Sequence, residues 1–308
     1  MNISGCTWEL TPREEIQIKN DLILFEPRLT YLGLQDYKGN SSIIATIIHM
    51  AKNLTTLDVS EANFVLLSNI LNRIDRTNLI TAINLSIMKR PILRRMRPMG
   101  DRSDLGEMYS PIRSSTIAML TTKCLRLTDL NLCGANLSQE AISTICHQIT
   151  PTIMAINLAR ERIKDDQLSA LIQRCPNMRY INLAETKISH LIFPHLTAGW
   201  RYSMRELILP EQFARQLKLF SDFGPFERRE QFQTLVISMP RLERLHIGHY
   251  RFEHTDVMYR RTTVKMLAEM FPKLLINPDP FGKLGTSDSD PARRFKNNIR
   301  SESWALRY

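Results

Sequence analysis

The 308-residue chain has no apolar run long enough to cross a bilayer as a helix, which argues against a helical membrane protein. Its first fifteen residues lack the apolar core of a signal peptide, because Trp8, Glu9, Arg13, Glu14 and Glu15 interrupt them. An intracellular place, nucleus or cytoplasm, is therefore expected. Cysteine is scarce: five residues, an odd number, with no C-x-x-C pair, which argues against a disulfide framework and a zinc knuckle. Neither G-x-G-x-x-G nor G-x-x-x-x-G-K-[ST] occurs, so nucleotide chemistry has no support. Acid is also short, 31 Asp and Glu against 41 Lys and Arg. The resulting +10 favours acidic surfaces without naming one.

What is present is a repeat. The spacing L-x-x-L-x-L, with any large apolar residue at each L, recurs from Leu29, Leu54, Ile80, Leu127, Ile153, Met178, Met204 and Leu242. Five of the seven intervals are 25 or 26 residues; the others, 47 and 38, imply insertions over about 87–113 and 211–236. Such a period lies in the leucine-rich-repeat range, where each unit supplies one short strand and one returning helix. The helical half has its own signature, apolar residues at i, i+3, i+4 and i+7. Ile44, Ile47, Ile48 and Ala51 carry it, as do Leu67, Ile70, Leu71 and Ile74. Ile142, Ile145, Cys146 and Ile149 carry it again, and so do Leu168, Leu171, Ile172 and Cys175.

The expected fold class is therefore α/β, a leucine-rich-repeat solenoid: an arc with a parallel concave sheet and outer helices. A single unit buries too little to stand alone, so residues 27–277 are read as one repeat domain. Residues 1–26 are read as a capping segment with no recognisable F-box, and 278–308 as a C-terminal tail.

Side chains alternate along a strand, so the residues between the ladder positions face the concave sheet. One column reads Gly33, Asp58, Asn84, Asn131, Asn157, Asn182, Ile208 and His246, and its neighbour Tyr31, Thr56, Ala82, Asp129, Ala155, Tyr180, Glu206 and Arg244. The asparagines read most simply as a solvated, mutually hydrogen-bonded ladder that holds register, with partner recognition as the alternative. Tyr180, Asn182, Glu206, Ile208, Arg244 and His246 are the expected partner-binding group, since large aromatic and charged side chains are the types enriched at hot spots.

Other constellations carry less. His246, His249 and His254, with Glu253 and Asp256 nearby, match no zinc spacing, and His190 and His195 read as loop histidines. No metal and no cofactor is expected. Cys124, Cys146 and Cys175 read as buried core thiols, while Cys133 reads as exposed just after its strand. No nucleophile, base and oxyanion pocket converge, so the chain is not read as an enzyme. Lys89 to Pro98 holds five basic residues in ten and reads as a solvated loop, an import signal or an acidic-partner contact. Interleaved aromatics are missing around the basic pairs Arg228 with Arg229 and Arg260 with Arg261, which argues against single-stranded nucleic acid.

Two blocks carry a resemblance. LSALIQRCPNMRYINL contains Leu168, Ser169, Leu171, Arg174, Cys175, Pro176 and Asn177, and FPKLLINPDPF contains Pro272, Leu274, Ile276, Asn277 and Phe281, followed by a basic stretch from Arg293 to Trp304. In these the chain resembles the leucine-rich-repeat region of the S-phase kinase-associated F-box protein family, substrate receptors of SCF-type E3 ubiquitin ligases. The resemblance implies a tail that folds back along the concave face, with Trp304 as its anchor. It also implies three partners: a protein substrate, phosphorylated or not, the SCF adaptor, and the small CDK-regulatory subunit. Only 26 residues precede Pro27, too few for an F-box. The alternative expectation is a stand-alone scaffold or inhibitor without ligase recruitment.

Overall fold

The structure, a computed structural model, describes residues 28–35, 37, 41–61, 64–74, 79–87, 112–210, 212–213, 234–247 and 274–276, with 13, 16, 17 and 20. Its contacts divide the chain into two compact units, Met1–Ile153 and Met154–Tyr308. In both the strands pair in parallel, in chain order, and strand and helix alternate as far as Leu209 among the described residues. The fold is α/β, a leucine-rich-repeat solenoid.

The first unit runs β1 (Tyr31–Gly33), α1 (Ser41–Met50), β2 (Thr56–Asp58), α2 (Phe64–Arg73), β3 (Ala82–Asn84), α3 (Ser114–Lys123), β4 (Asp129–Asn131) and α4 (Gln139–Gln148). Each strand begins two residues after a ladder residue of the sequence pattern. The ladder residues Leu54, Leu57, Ile80, Ile83, Leu127 and Leu130 are essentially inaccessible and form the core beneath the strands. Burial of such side chains is the main stabilising term, roughly 1.5–3 kcal/mol for each. Threonine holds the strands at their starts. The hydroxyl of Thr55 donates to the Thr30 carbonyl at 3.0 Å, that of Thr81 to Thr55 at 3.3 Å, and that of Thr128 to Thr81 at 3.1 Å. The Lys123 ammonium donates to the carbonyls of Leu71 and Asn72, both at 2.9 Å, supplying charge and donors where α2 ends.

The second unit runs β5 (Ala155–Asn157), α5 (Asp165–Arg174), β6 (Tyr180–Asn182), a 3-10 turn (His190–Ile192), α6 (Phe193–Trp200), β7 (Glu206–Leu209), β8 (Arg244–Ile247) and β9 (Leu275–Ile276). The indole N–H of the fully buried Trp200 donates to the Cys175 carbonyl at 2.8 Å, fastening the end of α6 to the end of α5.

Three details differ from the sequence reading. His190 and His195 lie in the 3-10 turn and in α6, not in a loop. Pro194 stands in the first turn of α6, where its missing N–H costs nothing. Cys133 is buried, and its backbone N–H donates to the Asn131 side chain. The asparagines are neither solvated nor bonded to one another: Asn84, Asn131, Asn157 and Asn182 are at most 1% exposed. Each uses Oδ1 to accept the backbone N–H two residues on, from Ser86, Cys133, Ala159 and Ala184, at 3.0–3.1 Å. Asp58 does the same for Ser60. This local bond turns the chain out of the strand. The residue after the turn adopts a left-handed conformation at Glu61, Gly134, Arg160 and Glu185, the same position in four repeats.

The insertions' basic segment Lys89 to Pro98, residues His249, Glu253, His254 and Asp256, the tail 278–308 and its Trp304 lie outside the described residues, as does most of 1–26. Among the described residues, no helix is long and apolar enough to cross a membrane.

Candidate partner-binding face

The second unit brings all six residues expected at the binding face onto adjacent strands. In register, Tyr180 of β6 lies beside Glu206 of β7, which lies beside Arg244 of β8; Asn182 lies beside Ile208, which lies beside His246. The result is a two-by-three array across three parallel strands, whose neighbours sit about 4.8 Å apart.

Its centre is ionic. Glu206 is 1% exposed, and a carboxylate taken that far from water needs opposite charge. Arg244 supplies it from the next strand, with Nε 2.7 Å from Oε2. His246 brings Nε2 to 3.7 Å from Oε1, two residues further along the same strand as Arg244. One carboxylate thus orients both cationic-type side chains of β8. The flank is apolar: Tyr180, 8% exposed, clusters with Ala155 of β5, and Ile208 stands between Asn182 and His246.

The six are not equivalent. Asn182 is fully buried, its Oδ1 committed to the turn, and Glu206 is nearly so. These two act from below as supports. Tyr180, Ile208, Arg244 and His246 keep the residual exposure through which a partner would touch the face. The sequence columns already placed Glu206 next to Arg244, and opposite charges on neighbouring strands were the legible signal of their ion pair. The inward commitment of Asn182 was also signalled, by Asp or Asn recurring at that position in five repeats.

The described cysteines, Cys124, Cys133, Cys146 and Cys175, are buried and are not joined in disulfides. Burial pushes the Cys124 and Cys175 thiols up to about 12, which leaves almost no thiolate at neutral pH. Among the described residues, no three His, Cys, Asp or Glu side chains gather as a metal site would require.

No family model matches the chain, and no curated protein does. Among solved structures, it is similar to a chain in the crystal structure of a Rad7 and Elc1 complex in yeast, at 16% identity and a TM-score of 0.47, covering 87% of this chain and 70% of that one.

Proposed function

We propose that the chain is a protein-binding leucine-rich-repeat protein, and that it serves as an F-box/LRR-type substrate-recognition subunit of an SCF-type E3 ubiquitin ligase. The observation that supports binding is the array on β6–β8: an aromatic, an aliphatic, a guanidinium and an imidazole side by side, positioned by a buried carboxylate. Hot spots are built this way, from a few large, rigidly held side chains. Solenoids use their strand faces for macromolecular partners because the sheet offers many aligned positions at fixed spacing. The ligase assignment draws on the sequence resemblance alone. It carries the expected partners with it: the substrate, the adaptor and the small CDK-regulatory subunit, with Trp304 anchoring the tail. No catalytic step is assigned to the chain, no cofactor is invoked, and its place is nucleus or cytoplasm.

Affinity purification of the full chain from cells tests both parts. Recovery of cullin-type ligase subunits with an adaptor is the expected result. A single stoichiometric partner with no ligase subunit would remove the ligase assignment and leave a scaffold or inhibitor. Replacing Tyr180 and His246 together by alanine should release the bound substrate while the adaptor stays. Unchanged recovery of every protein would remove the β6–β8 face from the reading.

A further inference from the structure

Charge in the second unit is segregated by edge. Among the described residues, the turns from helix to strand lie along one edge of the parallel sheet and those from strand to helix along the other. Among the described residues, the strand-to-helix turns together with the first two residues of α5 carry Arg160, Arg162, Lys164 and Lys187 against Glu161, Asp165, Asp166 and Glu185, four basic against four acidic. Arg160 is paired there, its Nε 3.1 Å from Glu185. The helix-to-strand turns together with the last residue of α5 carry, among the described residues, Arg174, Arg179, Arg201, Arg205 and Arg241 against Glu243 alone.

The arginine-bearing turns are held side by side. The backbone N–H of Arg179 donates to the Met154 carbonyl, that of Arg205 to Arg179, and that of Glu243 to Arg205, each at 2.8 Å. The edge is thus a ladder of neighbouring residues one strand apart. Arg174, Arg179, Arg201 and Arg241 are exposed, and Arg205 is half-buried with one guanidinium nitrogen 3.0 Å from Glu243. Beside them the exposed Tyr202 has the Arg201 guanidinium 5.1 Å from its ring centroid.

We infer that this helix-to-strand edge of the second unit, centred on Arg179, Arg205 and Arg241, is a docking surface for an acidic polypeptide segment. Among the described residues every cation on it is arginine, whose planar fork pairs bidentately with carboxylates and is weakly hydrated. Arg179 and Arg205 stand at the starts of neighbouring strands about 4.8 Å apart, and Arg241 lies two residues before the next rung, Glu243. Single-stranded nucleic acid would need a row of open aromatic faces for its bases. The edge offers one ring, and Arg201 lies over it. The surface shares no residue with the β6–β8 array, though Arg179 and Arg205 directly precede Tyr180 and Glu206, so its failure leaves the proposed function standing.

The test uses the full chain and a fluorescein-labelled peptide of ten glutamates, with a twenty-residue oligothymidylate as the second probe. Two double variants are compared, Arg179→Glu with Arg241→Glu and, on the opposite edge, Arg162→Glu with Lys187→Glu. Both lower the net charge by the same amount, so only placement differs, and unchanged melting curves establish that both fold. Should either melt early, the Gln pairs replace the Glu pairs. Peptide affinity is expected to fall about tenfold or more in the first pair and less than about threefold in the second, and to weaken as salt rises. Equal losses in both pairs, no peptide binding by the native chain, or tighter oligothymidylate binding lost through the first pair would each overturn the inference.

Discussion

Nε of Arg244 and Oε2 of Glu206 lie 2.7 Å apart across adjacent parallel strands, with the carboxylate side 1% exposed and the guanidinium side 15%. Removing one member of such a pair strands the other. Glu206→Gln should therefore destabilise the chain by about 2–3 kcal/mol, since a partly buried guanidinium loses its counter-charge. Glu206→Leu with Arg244→Met should cost clearly less than the sum of the single changes, because apolar groups of similar size need no counter-ion. Urea denaturation of the four proteins gives the coupling. Additive losses would mean the pair contributes no more than two independent surface residues.

Asn182 and Ala184 are joined by a side-chain bond of 3.0 Å that ends β6. Asn182→Ala leaves a buried N–H without its acceptor, at a cost of about 1–3 kcal/mol. Asn157→Ala, which removes the equivalent bond to Ala159, should cost about the same. Thermal or urea unfolding measures both. If the losses stay within about 0.5 kcal/mol, as for surface changes, the turn bond is not what holds these residues.

Burial pushes the Cys124 and Cys175 thiols from 9.0 up to about 12. A thiol raised in the folded state keeps its proton where the unfolded chain has already released it. Stability contributed by these two groups is thus complete below about pH 9 and is lost as pH rises toward 12, on the order of 1 kcal/mol per pH unit for each. Unfolding midpoints followed from pH 8 to 11 should fall more steeply in the native chain than in Cys124→Ala with Cys175→Ala. At pH 8 neither thiol should react with a thiol reagent before denaturant is added.

How much of this was legible depended on which residues carried the signal. The eight strands and both columns could be read because the ladder residues recur at a fixed spacing and are apolar in every repeat. β9 could not, because Lys273 and Pro278 occupy ladder positions of its repeat. Helix α3 was hidden by threonine: Thr116 and Thr121 share its buried face with Ile117 and Leu120, which breaks the apolar stripe. Alternation told which face Asn131 and Asn157 occupy but not that they are inaccessible. Two-residue periodicity fixes direction, and only coordinates show what lies above. The binding array was legible as residue types in neighbouring columns, whereas the division between contacts and the supports Asn182 and Glu206 depended on burial.

Gly199 explains why α6 was unreadable and supplies a last test. Glycine inside a helix, with proline at its start, reads as a loop, yet here a side chain is excluded by the neighbour: a Cβ at Gly199 would overlap Cγ2 of Ile172 on α5. Alanine is otherwise the better helix former by about 1 kcal/mol, so the two effects oppose each other. Overpacking of a well-filled core costs about 1–3 kcal/mol, and Ile172 is buried at 4% exposure. Gly199→Ala should therefore destabilise the chain on balance. Ile172→Ala, which alone creates a cavity, should be milder when combined with Gly199→Ala, because the new methyl fills part of that space. Denaturant unfolding of the single and double variants decides it: a stabilising Gly199→Ala would mean that α5 and α6 pack less closely than the overlap implies.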